Sequence, residues 1–131
     1  MDGYRHRIMD SLLEKKLQVK GAVLIEGPKW CGKTTTAEEV AASKILLART
    51  DVKNNFKSLL EIDTDAALSG DTPMLIDEWQ TVPKLWDAVR YTVDHRRKMG
   101  QFILTGSAVP DKEAEEEREH SGTGRFAWLT M

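Results

Sequence analysis

The stretch "GPKWCGKTTT", Gly27–Thr36, decides how this chain of 131 residues is read. It sets Gly27, Gly32, Lys33 and Thr34 in the pattern G-x-x-x-x-G-K-[ST]. Average residue frequencies give such a match, somewhere in a chain this long, a chance on the order of a few tenths of a percent. An ordinary turn is the competing reading, and the neighbourhood argues against it. Ala22–Glu26 is a short, branched apolar run of the kind a buried strand needs, and Lys33–Ser43 follows with a helical pattern. In a strand, glycine-rich loop and helix taken in that order, backbone N–H groups can turn inward around a phosphate. The helix N-terminus adds partial positive charge. Gly27, Pro28, Lys29, Trp30, Cys31 and Gly32 then line the loop. Lys33 reaches the β- and γ-phosphates, Thr34 offers its hydroxyl to Mg²⁺, and Thr35 bonds the α-phosphate. Trp30 and Cys31 occupy the variable positions of the pattern, where packing or loop cover is the plainer role.

Outward from the loop, strands and helices alternate. Tyr4–Lys20 carries Ile8, Leu12, Leu13 and Leu17 at helical spacing, with Gly21 as a stop, and reads as a leading amphipathic helix within residues 1–20. Ile45–Ala48 reads as a strand, "NNFKSLLEIDTDAAL" before Gly70 as helical, and Met74–Ile76 as a strand that turns acidic at its end. A helix is expected over Val82–Met99, with Thr81 as N-cap, Pro83 in the first turn, Gly100 beyond the end, and Leu85, Trp86, Val89 and Val93 on one face. Gln101–Leu104 reads as a further strand and "GRFAWLTM" as another, while the Glu-rich Asp111–His120 reads as a solvated helical face. Nearly continuous apolar strands alternating with helices predict an α/β fold with a parallel sheet covered on both faces.

Composition excludes several classes. One domain over residues 1–131 is the expectation from length. With 19 basic and 21 acidic residues and a net charge of −2, the chain has no general attraction to nucleic acid or to an anionic membrane surface. Cys31 is the single cysteine, so no internal disulfide can form, and the three histidines have no zinc-like spacing. The opening "MDGYRHR" lacks a signal peptide's apolar stretch, and runs such as "AVLI" and "ILLA" fall far short of a membrane span, so a cytoplasmic location is expected.

Three further groups bear on chemistry. Asp77 and Glu78 in "LIDEW" sit at the C-terminal end of a buried strand, the edge at which parallel sheets bind ligands. Asp77 is expected to hold Mg²⁺ and Glu78 to act as general base on an attacking water, an acidic helix-capping pair being the structural alternative. "LTGS" ends the next strand, where Thr105 or Ser107 can present a hydroxyl to the γ-phosphate or the water, unless it is merely a Gly-Ser turn. Arg125 in "HSGTGR" is a candidate for stabilising charge on a transferred phosphoryl group, although an arginine at a strand start is more often a surface residue. Trp79 is expected to pack at the sheet edge rather than to stack on adenine.

Together these pieces resemble the AAA-type P-loop ATPases. More closely, "GAVLIEGPKWCGKTTTAEE", "MLIDEWQ", "FILTGSA" and "HSGTGR" are similar to a group of bacterial and archaeal ATP-binding proteins. The resemblance implies a three-layer P-loop NTPase sandwich with strand order 5-1-4-3-2, in which the "FILT" strand lies between the phosphate-loop strand and the "LIDE" strand. It implies ATP and Mg²⁺ as cofactors and Lys33, Thr34, Asp77 and Glu78 in the roles above. Thr105 or Ser107 would be the polar sensor, and Arg125 would act on its own nucleotide or on that of a neighbour in a homo-oligomer. It also implies further strands and a C-terminal, nuclease-like domain beyond a truncated ATPase module. Two departures stand out: no recognisable helical lid follows the core, and "AVPDKEAEEEREH" is unusually acidic for a phosphate-facing segment. The leading expectation is an ATPase module that drives or gates a partner domain. Its rival is a nucleotide-binding switch with negligible turnover, and Glu78 discriminates between them because a pure binder needs no base.

Overall fold

The computed structural model describes residues 2–27, 32–107 and 126–130, with the backbone alone at 2–7, 107 and 130. Pro28–Cys31, Arg125 and the acidic stretch at 111–120 lie outside the described residues. The elements follow the order α1 (Asp2–Val19), β1 (Ala22–Gly27), α2 (Lys33–Val40), β2 (Ser43–Leu46), α3 (Thr50–Ile62), α4 (Thr64–Ala67), β3 (Met74–Asp77), a 3₁₀ turn (Trp79–Thr81), α5 (Leu85–Arg96), β4 (Phe102–Ser107) and β5 (Phe126–Thr130).

All four strand pairings are parallel, in the order β2-β3-β4-β1-β5. Taken from the opposite edge this is 5-1-4-3-2, with β4 between β1 and β3, as the resemblance implied. Strand alternation divides the core between the two faces of the sheet. Ala22, Leu24, Met74, Ile76, Phe102, Leu104 and Phe126 face the helices and turn contributed by residues 47–93, while Val23, Ile25, Leu75, Ile103, Ala127 and Leu129 face α1 and α2. Burial on both faces explains why the strands are continuous apolar runs. Each fully buried leucine or isoleucine removes enough apolar surface from water to be worth roughly 1.5–3 kcal/mol.

Several elements differ from the sequence expectation, each for a local reason. In α1 the buried stripe is Leu13 and Leu17, with Met9 packed against the same cluster, whereas Ile8 and Leu12 are 44% and 39% exposed. The helix therefore faces the sheet through an i, i+4, i+8 row, one position round from the expected one. Helix α2 stops at Val40 rather than Ser43, because the N–H groups of Ala42 and Ser43 donate to Pro73 O and draw the chain to the sheet edge as β2. The helical stretch after β2 breaks at Asp63, whose carboxylate accepts from Ala66 N at 3.1 Å and caps α4.

The expected start of α5 is corrected too. Thr81 does not cap it: its hydroxyl donates back to Glu78 O at 2.8 Å, and the helix begins at Leu85. The helix ends at Arg96, and Arg97 takes the left-handed conformation (φ 56°) with its N–H on Val93 O. Strand β4 runs to Ser107, three residues beyond the expected end, because its pairing with β1 continues through Gly106↔Glu26 and Ser107↔Gly27. "LTGS" is thus strand, not turn. No described helix is long and apolar enough to cross a membrane.

Candidate active site

The C-terminal edge of the sheet gathers the predicted groups. Gly27 closes β1, Asp77 closes β3, and Thr105 and Ser107 lie in the last three residues of β4. Register fixes their relation: Asp77 lies opposite Thr105 on β4, and Thr105 lies opposite Ile25 on β1. Helix α2 begins at the same edge. Its first residue is preceded by Gly32 at φ 86°, a left-handed conformation that glycine adopts without a Cβ penalty, and Gly32 O accepts the first helical bond from Thr36 N at 3.0 Å.

The three elements meet at one oxygen. Asp77 Oδ1 accepts from Thr105 Oγ1 at 2.6 Å and from Thr34 Oγ1 at 2.9 Å. Asp77 is 8% exposed and Thr105 is fully buried. Two hydroxyl donors compensate the cost of keeping a carboxylate largely out of water. Lys33 is only 5% exposed, despite a charged head group that normally seeks water. Gly32, Lys33, Thr34 and Thr35 line an open cavity of about 370 Å³ at the start of α2.

Glu78 follows in a conformation rare outside glycine, φ 59° and ψ 43°. Its carbonyl is held by Thr81 N at 3.1 Å as well as by the Thr81 hydroxyl. Its carboxylate accepts from Gln80 Nε2 at 2.6 Å through Oε2. Backbone strain of this kind persists where surrounding bonds over-determine it, and it clusters at sites of function. Trp79 is buried at the sheet edge, 5.5 Å between ring centroids from Trp86, which itself stacks on Phe126 at 4.5 Å. It packs, as expected, as core.

The structure thus brings together Gly32, Lys33, Thr34, Asp77, Glu78 and Thr105. Gly27 and the backbone of Ser107 pair with each other at the same edge, and Thr35 lines the cavity. Pro28, Lys29, Trp30, Cys31 and Arg125 lie outside the described residues. Gln80 and Gly106 were not singled out from sequence; a hydrogen bond between positions two apart in a tight turn leaves no periodic trace in a pattern. Among the described residues no group of three or more His, Cys, Asp or Glu side chains could hold a metal. Thr34 and Asp77 instead offer hard oxygens from two elements, which suits Mg²⁺, an ion that keeps several waters and takes its other ligands from substrate phosphates.

Residues 19–131 match the AAA domain family. The chain belongs to that family. Over 100 residues this AAA domain is 34% identical to an uncharacterized protein of Mycobacterium bovis, and equally so to one of Mycobacterium tuberculosis. The alignment covers 76% of the chain and 22% of each relative, so the chain spans only about a fifth of the length of the curated relatives it matches. Among solved structures, that of C. elegans PCH-2 superposes on the AAA domain with a TM-score of 0.48 and 15% identity, covering 97% of this chain and 41% of that chain. Family membership supports a nucleotide-binding, ATPase-type function.

Proposed function

We propose that this AAA domain binds ATP with Mg²⁺ and hydrolyses it, driving or gating a partner domain. The observation that carries the reading is the convergence of Thr34 and Thr105 on Asp77 Oδ1, which joins the start of α2 to the ends of β3 and β4. Thr34 and Asp77 would hold the metal, which when bound neutralises charge on the β- and γ-phosphates. Lys33 would set its ammonium against the same phosphates, and Gly27–Gly32 with Thr35 would wrap the rest of the triphosphate. Glu78, next in chain to Asp77, would orient and polarise the attacking water as general base. Because the Thr105 hydroxyl is committed to Asp77, contact with the γ-phosphate falls more naturally to Ser107.

Arg125, in cis or supplied to a neighbouring copy, would stabilise the charge of the transferred group. A nuclease-like C-terminal domain in the same polypeptide, homo-oligomeric assembly and a cytoplasmic location belong to this proposal and rest on the resemblance. That neither a membrane nor nucleic acid is a partner also belongs to this proposal and rests on the balanced charge of the sequence.

The test is ATP binding and hydrolysis by the parent chain and by Glu78→Gln. Retained binding with lost turnover supports the base. Equal turnover in both proteins removes Glu78 from the chemistry, and no turnover by a parent that binds ATP favours the nucleotide-binding switch.

A further inference from the structure

Gln80 stands in a position that the proposed ATP chemistry does not account for. Its Nε2 donates to Glu78 Oε2 at 2.6 Å, while its Oε1 is buried without a hydrogen-bond partner among the described residues. A buried acceptor left without a partner is uncommon and calls for a reason. The seat of the amide supplies one. A Cβ built on Gly106 would lie 2.5 Å from Gln80 Oε1 and 3.0 Å from Trp79 Nε1, so the amide rests directly over the β4 backbone, in space that exists only because residue 106 is glycine. Gly106 in turn follows Thr105, the donor to Asp77.

We propose that Gln80 is a positioning residue for Glu78, and that Gly106 is the seat that aims it. This rests on the reading of Glu78 as general base. Two constraints act on Glu78 at once. The 3₁₀ turn holds its backbone in the left-handed region through Thr81, and the Gln80 amide holds its carboxylate. An amide suits the task because it fixes a carboxylate oxygen without adding a second charge beside the phosphates. The arrangement also ties the base to β4, the strand that carries Thr105 and Ser107. A shift of β4 at Gly106 would reach Glu78 through the packed Gln80 amide and Asp77 through the Thr105 bond.

The experiment uses the whole chain and three substitutions. Gln80→Met keeps length and volume and removes the donor. Gly106→Ala fills the seat and must push the flexible amide tip aside. Glu78→Gln removes the base. Calorimetry gives the affinity for ATP with Mg²⁺, and a single-turnover assay with chain in excess gives the hydrolysis rate. Misplacing a reacting group by about 1 Å can cost on the order of 10²-fold, so Gln80→Met and Gly106→Ala should each slow hydrolysis by up to that factor at unchanged affinity. The double variant should be no slower than either single one, and Gln80→Met should add nothing on a Glu78→Gln background, because all of these act through one carboxylate. An independent readout is the side-chain amide resonance of Gln80 in the labelled chain, which should move on Glu78→Ala. Parental hydrolysis rates in Gln80→Met, rate losses matched by equal affinity losses, or an unmoved Gln80 resonance would each overturn the proposal while leaving Glu78 as the base. A parent that binds ATP and does not hydrolyse it would overturn the base and the proposal together.

Discussion

Thr105 and Asp77 face each other across β4 and β3, and the Thr105 hydroxyl donates to Asp77 Oδ1 at 2.6 Å in a position closed to water. A buried bond to an ionised acceptor contributes more than a neutral one, and removing its donor leaves the carboxylate with less compensation for its desolvation. Thr105→Val keeps the branched shape and should cost about 1–3 kcal/mol of stability, read as a lower urea midpoint at unchanged slope. Thr105→Ser should recover most of it. An unchanged midpoint in Thr105→Val would mean that the bond is not maintained in solution.

Lys33 opens α2 nearly buried beside the cavity that Gly32, Thr34 and Thr35 also line. If its ammonium meets the β- and γ-phosphates, Lys33→Ala deletes a charge-assisted contact worth roughly 1.5–3 kcal/mol, or about ten- to hundred-fold in ATP affinity. Calorimetry reads this directly. Binding as tight as that of the parent would detach the loop from the nucleotide.

Leu13 and Leu12 are adjacent in sequence and opposite in environment, the first fully buried between α1 and the sheet and the second 39% exposed. Leu13→Ala should cost roughly 2–5 kcal/mol through lost transfer energy and the cavity left behind. Leu12→Ala should stay within about 0.5 kcal/mol of the parent. Chemical denaturation of the two variants checks the rotation of α1, and comparable losses in both would show that the helix packs through a different face.

How far the sequence foretold this arrangement depends on the length scale of each cause. The strand–helix alternation on either side of the Gly27–Thr36 pattern, the strand end at Asp77, and burial of both sheet faces are legible because they rest on fixed spacing and on continuous apolar runs. The strand order came with the resemblance, since no local pattern encodes which strand lies beside which. Thr81 misled because Thr-x-Pro before an apolar periodic segment has the chemistry of a helix cap, yet its hydroxyl found a nearer acceptor in Glu78 O. The sequence ends β4 too early, at Leu104, because glycine and serine favour turns, while the pairing with β1 holds Gly106 and Ser107 extended. The rotation of α1 could not be read because Ile8, Leu12, Leu13 and Leu17 fit a helical stripe almost as well as Met9, Leu13 and Leu17 do. The Gln80 contact depends on a left-handed residue at Glu78, which no residue type there announces.

Thr34 and Asp77 are joined by a single bond of 2.9 Å from one hydroxyl to one carboxylate oxygen, and the proposed function sets Mg²⁺ against this pair. The hydroxyl gives its hydrogen to Asp77 and keeps its lone pairs for the metal, so in this reading Thr34 matters to nucleotide binding only when Mg²⁺ is present. The phosphate contacts proposed for Lys33 and for the loop backbone would need no metal. ATP affinity measured with Mg²⁺ and with EDTA separates the two contributions. In the parent, Mg²⁺ should tighten binding. In Thr34→Val that gain should shrink by about ten-fold, the equivalent of some 1.4 kcal/mol, while affinity in EDTA stays close to the parent's. Thr34→Ser keeps the oxygen and should keep the gain. If Thr34→Val weakens binding equally with and without the metal, Thr34 supports the loop and not the ion. If Mg²⁺ tightens binding as much in Thr34→Val as in the parent, the metal ligand must be sought elsewhere along the sheet edge.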